Sequence, residues 1–273
     1  MRTHDPVAGR RVLLTGACSG IGRSLATQLA AKGAHLALVA RRTHLLDGLA
    51  VEISATGAAP PVVLTADLAS AESATDVAHR ALGELGAVDV LINNAGTSLT
   101  GALSLHSDTE AARAVFETNF WAPIALSAAL IPAMRAQGRG TVVNVTSTIQ
   151  SVPLPLLGYY ASSKAALGQA TRSLREELAT TPIRVLEVIP GGTDTALRDV
   201  DELPWRGSVP KTIPPVSADS MAAAIVRALE RGSKRLVYPP YALVPLELPV
   251  TGRVVAHLAG RRIDTANALP SEP

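Results

Sequence analysis

Val12-Leu13-Leu14-Thr15-Gly16-Ala17-Cys18-Ser19-Gly20-Ile21-Gly22 is the stretch on which the reading of this chain turns. Val12 to Thr15 is a short apolar run, and three glycines follow within seven residues. Apolar residues then recur at Leu25, Leu29 and Ala30, the spacing of a helix face. After Gly33 comes a second apolar run, Leu36 to Ala40. Strand, glycine-rich turn, helix and strand make the βαβ unit of a nucleotide site. Gly16, Gly20 and Gly22 let the backbone turn tightly and approach a pyrophosphate, with Cys18, Ser19 and Ile21 between them. The helix start offers free N–H groups and a partial positive charge to that anion.

Outward from this unit the alternation continues. Pro61 to Thr65 reads as a strand ending at Asp67 and Leu68, and 71–85 as a helix. A strand over 88–92 ends in Asn93, Asn94, Ala95 and Gly96. Residues 107–135 read as mostly helical, with Asn119 inside and a kink at Pro123. A strand over 140–146 carries Ser147 at its carboxyl end, and a helix holds Tyr160 and Lys164. The strand 183–189 ends at Pro190, Gly191 and Gly192. Residues 209–215 read as loop, 218–230 as helix and 236–238 as a last strand. Repeated strand–helix units predict an α/β, Rossmann-type doubly wound parallel sheet with helices on both faces. It forms a single domain over 8–238. The extension 239–273 is expected to be helical and then disordered. Ligands in such sheets sit beyond the carboxyl ends of the strands. Gly16, Asp67, Asn93, Ser147 and Pro190 all fall at such ends.

Tyr160 and Lys164 are four apart, so on a helix they share a face. A free phenol has a pKa of roughly 10, and a nearby cation lowers it. Bringing it near 7 needs about 4 kcal/mol of differential interaction. Such a Tyr can give a proton to a carbonyl oxygen or take one from an alcohol. In isolation the pair favours a packing aromatic and a solvated Lys, because such pairs are common on ordinary helices. Tyr159 is five residues from Lys164, on another part of the helix, and reads as packing or pocket wall.

Composition narrows the alternatives. The chain has 273 residues, 47% hydrophobic and 18% charged, which suits one large α/β domain. A net charge of +2 without a basic block argues against nucleic-acid binding. Cys18 is the single cysteine, so no internal disulfide forms, and it reads as filler in the glycine turn. The six His residues are scattered, with no metal-ligand spacing. Asp89, just before a strand, reads as structural. The N-terminus lacks the apolar core of a secretory signal. No run of about 20 apolar residues is free of charge and Pro. A cytoplasmic location is expected.

Taken together, residues 10–238 resemble the classical short-chain dehydrogenase/reductase family. The motifs that carry the resemblance are the glycine turn 15–22, Asn93-Asn94-Ala95-Gly96, Asn119, Ser147, Tyr160 with Lys164, and Pro190-Gly191 with Thr195. The resemblance implies that Tyr160 is the acid/base and that Lys164 lowers its pKa and holds the nicotinamide ribose. Ser147, thirteen residues before Tyr160, would hydrogen-bond the substrate oxygen. Asn119 would bind a water that passes protons to Lys164; as a helix-interior polar residue it could equally bond backbone. Asp67 would contact adenine through its side chain, and Asn93 would hold the turn beside the cofactor. Leu68, Ala95, Gly96, Pro190, Gly191 and Thr193 would border the cofactor, with Thr195 at the nicotinamide carboxamide. The resemblance also implies a homodimer or homotetramer through the helices of Asn119 and Tyr160. Ala125, Leu126, Ala129, Leu167, Ala170 and Leu174 would offer its apolar faces.

The implied reaction is hydride transfer between a nicotinamide and a carbonyl/alcohol pair. A non-catalytic dinucleotide-binding sensor or scaffold is the alternative, and the intact Ser147, Tyr160 and Lys164 argue against it. NAD users of this fold place a carboxylate at the end of the second strand, where it bonds the ribose hydroxyls. Here that strand runs into Arg41 and Arg42, and no carboxylate comes before Asp47. NADP(H) is therefore expected, with Arg41 as the main phosphate contact and Arg42 stacking near adenine. Ser19 argues the other way, because many phosphate-selecting relatives carry a further basic residue there. The substrate pocket is expected from 97–106, 148–158 and 193–215. These loops hold no basic cluster before Arg198, which favours an uncharged, fairly apolar substrate. The apolar stretch 241–260 is broken by Pro245, Glu247, Pro249 and Arg253. It is expected to pack on the cleft or a subunit neighbour, in preference to anchoring on a membrane surface.

Overall fold

The computed structural model describes residues 6–195, 197, 203–208 and 215–265. Arg198, most of the loop read over 209–215, and 266–273, for which disorder is expected, lie outside them. Seven parallel strands form the sheet: β1 (Arg11–Thr15), β2 (His35–Ala40), β3 (Val62–Thr65), β4 (Val90–Asn93), β5 (Gly140–Val145), β6 (Ile183–Pro190) and β9 (Arg235–Tyr238). Their order across the sheet is β3-β2-β1-β4-β5-β6-β9. The order reverses between β1 and β4, and the crevice of such a fold opens there. Two two-residue strands, β7 (Thr193–Asp194) and β8 (Val216–Ser217), pair beyond the end of β6. They are too short for any periodicity to announce them.

The strands read as continuous apolar runs because both faces are covered. Leu13 and Leu14 are neighbours in β1 yet belong to opposite layers. Leu14 shares one layer with Leu25 and Leu29 of α1 (Gly20–Ala31), Leu49 of α2 (Thr43–Ala55) and Ile225 of α8 (Ala218–Glu230). Leu13 shares the other with Val77 of α3 (Ala71–Leu85) and with Leu126 and Leu130 of α6 (Ala122–Ala136). The sequence reading left α2 unassigned; Leu46, Leu49 and Ile53 form its buried stripe.

Residues 107–135 were expected to be mostly helical with a kink at Pro123, and the structure breaks this region differently. Short helices α4 (Leu103–His106) and α5 (Glu110–Phe116) come first, and a π-helical turn over Glu117–Trp121 carries Asn119. The irregularity lies in that turn. Pro123 follows directly on that turn, at the start of α6. By length and composition Glu110–Ala136 could cross a membrane, but Leu126, Leu130 and Met134 face the sheet. Leu126 and Leu167 of α7 (Gly158–Glu177) are also fully buried. These two belong to the core rather than to a subunit face, because both helices turn that side to the strands. Ala125, Ala129, Ala170 and Leu174 are only partly buried, and Trp121 is exposed.

Asp89 is a structural residue. Its carboxylate accepts from Arg11 N and Nε at 2.9 Å and from Arg139 Nε at 2.9 Å. Burial alone would raise its pKa. The two arginines more than offset this and hold the carboxyl well below its usual range. The unfolded carboxyl titrates near ~3.9, so this stabilisation is complete above that pH and is lost as pH falls toward the folded value. Asp89→Ala is expected to cost about 2–3 kcal/mol at neutral pH, because both arginines keep access to water. Urea denaturation from pH 7 to 3 should show the wild-type advantage shrinking; a gap that stays constant would refute it.

Candidate active site

The site is built where strands end. At the β1/β4 reversal Thr15 Oγ1 accepts from Asn94 N and Ala95 N, both at 3.0 Å. The Asn94 amide donates back to Thr15 O at 3.0 Å. This clamp presses the glycine turn onto the loop after β4. A Cβ on Gly16 would come 2.8 Å from Ala95 Cα, and one on Gly22 2.0 Å from Gly16 O. Gly16 and Gly20 have φ of +68° and +50°, which a side chain would strain. Ser19 precedes α1 without a side-chain cap, so the first N–H groups of that twelve-residue helix stay open to a ligand.

A cavity of about 780 Å³ runs along these strand ends. Gly16, Cys18, Ser19, Gly20, Ile21, Arg41, Arg42, Asp67 and Leu68 line one end. Ala95, Gly96, Ser147, Tyr160, Lys164, Pro190, Gly191, Thr193 and Thr195 line the rest. The glycine cradle, the open helix start and a cleft of this size fit a dinucleotide.

Three predicted site residues lie behind the wall. Gly22 is inside α1, where its missing side chain allows the close approach to Gly16. Asn93 turns inward: its amide donates to Asn144 Oδ1 at 2.8 Å, and Asn144 donates to Thr171 Oγ1 at 2.9 Å. This buried chain ties β4 and β5 to α7. Asn94 lines the cavity in its place. Adjacent strand residues point to opposite faces, and nothing in two consecutive Asn residues says which points where. Asn119 is fully buried. It accepts from Thr97 N at 2.9 Å and donates to Thr97 O at 2.8 Å and Ser163 Oγ at 2.9 Å. Both amide hydrogens are engaged, so the backbone-bonded reading describes this side chain, and the structure makes it a clamp between the β4 loop and α7.

At the end bounded by the glycine turn, Asp67 Oδ1 accepts from Ala69 N at 3.0 Å and shapes the turn that borders the cavity. Arg42 reaches back to the glycine turn, with Nη2 3.1 Å from Cys18 Sγ and 3.4 Å from Ser19 Oγ. Arg41 is exposed on the cavity rim and has no hydrogen bond or ion pair among the described residues.

At the other end, Lys164 is buried and donates to Val145 O at 3.0 Å. Its Nζ lies 5.9 Å from the centroid of the Tyr160 ring. Burial pushes the ammonium down to about 8. Ser147 Oγ accepts from Ile149 N at 3.3 Å, which leaves its own hydrogen for another acceptor. Tyr159 is buried and donates to Ser107 O at 2.6 Å, a packing role. Thr97, Val152, Leu154, Leu157 and Leu197 wall this end, joined by Tyr241, Val244, Pro245, Thr251 and Val255 of the C-terminal extension. The stretch 241–260 was expected to pack on the cleft or a subunit neighbour, and the chain's return across the sheet end brings these five residues to the cavity. Among the described residues no cluster of metal-ligating side chains occurs.

Comparison with known proteins converges on one family. The family model for short chain dehydrogenases matches residues 10–203. The chain is 32% identical over 247 residues to 11-beta-hydroxysteroid dehydrogenase A of Sesamum indicum, covering 87% of this chain and 70% of that one. A short-chain dehydrogenase from Streptomyces avermitilis superposes with a TM-score of 0.77 at 31% identity, over 92% of this chain and 96% of the other. A metagenomic short-chain oxidoreductase solved in complex with NADP superposes with a TM-score of 0.72 at 28% identity, over 85% and 98% of the two chains.

Proposed function

Because this chain belongs to the short-chain dehydrogenase/reductase family of oxidoreductases acting on CH–OH and C=O groups, we propose that it is an NADP(H)-dependent enzyme for an uncharged, fairly apolar carbonyl/alcohol substrate. The observation that carries this reading is the buried Lys164 ammonium 5.9 Å from the Tyr160 ring, in a cavity with an apolar far wall. Tyr160 gives its hydroxyl proton to the substrate oxygen in reduction and takes it back in oxidation. Lys164 stabilises the phenolate left behind, and the low dielectric around it strengthens that interaction. Ser147 donates its unengaged hydrogen to the same oxygen as negative charge develops there. A nicotinamide dinucleotide supplies or accepts the hydride. Gly16, Gly20 and the start of α1 would hold its pyrophosphate, Lys164 its nicotinamide ribose, and 190–195 its nicotinamide. A panel of ketones, aldehydes and alcohols, followed by NADPH absorbance, tests the activity. Cofactor binding without turnover of any member would favour the sensor or scaffold reading.

Arg41 supports the choice of NADP(H). It stands at the end of β2, exposed on the cavity rim, with Arg42 beside it on the glycine turn. A charge-assisted contact contributes about 1.5–3 kcal/mol, so kcat/KM is expected to favour NADPH over NADH by at least about tenfold. Arg41→Asp should abolish that preference. Equal use of both cofactors by the wild type, or an unchanged ratio in the variant, would count against it.

A further inference from the structure

Twelve large apolar side chains are exposed among the described residues, and eight of them lie between 241 and 258. These residues form a short 3₁₀ turn (Pro240–Ala242), α9 (Leu243–Glu247) and α10 (Pro249–Gly260), with a bend of 100° between the two helical pieces. The inner side of α10 is seated on the protein. Gly252 and Ala256 are buried, and a Cβ on Gly252 would come 2.3 Å from Ser151 O. The expected packing on the cleft therefore exists, but it uses only this inner side. Outward, Val250, Val254 and Leu258 recur at four-residue intervals along one stripe, each at least half exposed. Arg253, His257 and Arg261 recur at the same interval in the adjacent stripe, all exposed. Within 239–265 the acidic residues are Glu247 and Asp264, and these face Arg235 and Arg206. The surface is thus apolar with a basic border whose Arg253 and Arg261 form no ion pair among the described residues.

We propose that the outer face of α9 and α10 docks on an anionic phospholipid bilayer. An apolar stripe with a basic flank is the pattern of a helix lying in the plane of the interface. Its apolar side chains enter the acyl boundary while the arginines meet lipid phosphates. A second copy of this chain fits the face less well. A two-fold contact uses the same patch on both copies and so would face this basic border with itself, whereas Glu247 and Asp264 are already engaged by Arg235 and Arg206. It would also cover the cavity. Tyr241, Val244 and Val255 line the cavity and are exposed as well, so its wall continues directly into the docking face. On the proposed function, an apolar substrate dissolved in the bilayer then reaches the catalytic end without crossing water. The docking itself does not depend on that function, and its test uses no turnover.

The test is flotation of the protein with vesicles of phosphatidylcholine alone and of phosphatidylcholine with phosphatidylglycerol. The wild type is expected to float with the mixed vesicles at low salt, at least about tenfold more than with the neutral ones, and to be released by added salt. Val254→Asp with Leu258→Asp should reduce flotation at least about tenfold, with melting temperature and NADPH binding unchanged. Arg253→Glu with Arg261→Glu should remove the preference for anionic lipid while preserving the apolar stripe, so a folding defect in the first variant leaves the second to decide. Absence of flotation with either vesicle would overturn the proposal, as would flotation that neither double variant changes. So would a dimer in light scattering that the aspartate variant dissociates, with no vesicle binding by the wild type; the face would then belong to a second copy.

Discussion

Tyr160→Phe is expected to lower kcat about a thousandfold or more, with NADPH binding nearly unchanged. The substitution keeps the ring in place on α7 and removes only the hydroxyl, the group assigned to proton transfer. Acid/base catalysis by a positioned side chain contributes about 10²–10⁴-fold, and in the proposed role the same hydroxyl would also fix the substrate oxygen. Kinetics on a turned-over ketone and fluorescence titration of NADPH separate the two effects. A fall in kcat and kcat/KM together, with an unchanged cofactor dissociation constant, marks an interaction made in the transition state. Near-normal turnover in the variant would falsify the assignment of Tyr160.

Lys164→Met should be nearly as damaging, and it should act on binding as well as on chemistry. Methionine approximates the length of the side chain and removes the charge. Loss of the cation beside Tyr160 is expected to cost about a hundredfold or more in kcat, and loss of a ribose contact to weaken cofactor affinity. Stability supplies a readout that an ordinary packing defect would not reproduce. Burial holds the folded Lys164 pKa near about 8, whereas an unfolded lysine titrates near ~10.4. Between these values the unfolded chain binds more protons, so unfolding free energy should rise with pH across that window. The methionine variant should lack this rise. An identical pH dependence in both proteins would show that Lys164 is not held as a strained, buried cation.

The two largest expected effects come from residues that a linear reading finds readily. A four-residue interval places Tyr160 and Lys164 on one helix face wherever that helix lies. Ser147 and Gly16 are similarly legible, because the end of an apolar run marks the edge of the sheet. The wall of the substrate end was much less legible. The loops 97–106, 148–158 and 193–215 were expected there, with 241–260 on the cleft or a subunit neighbour. That Tyr241, Val244 and Val255 are the tail residues reaching the cavity depends on contacts far apart in the chain. No local pattern in an apolar tail records what it covers.

The same division accounts for the individual misplacements. Asn93 and Asn94 are identical in type, and the register at the end of β4 alone turns one into the buried chain with Asn144 and the other toward the cavity. Arg41 and Arg42 differ only in the direction their side chains leave the end of β2. One is left on the rim and the other is drawn to Ser19. Asn119 was read either as a water-binding group or as a backbone-bonded polar residue, and only the π-helical turn shows its amide aimed at the backbone of Thr97. Sequence by itself determined the alternation of strands and helices, the parallel sheet and the helix that carries Tyr160 and Lys164, since apolar periodicity and glycine placement act within a few residues. Tertiary structure alone decided which polar side chains face the cavity, which apolar ones leave a subunit surface for the core, and what roofs the substrate. Those outcomes depend on close packing between elements distant in the chain, where a single step of register reverses the direction of a side chain.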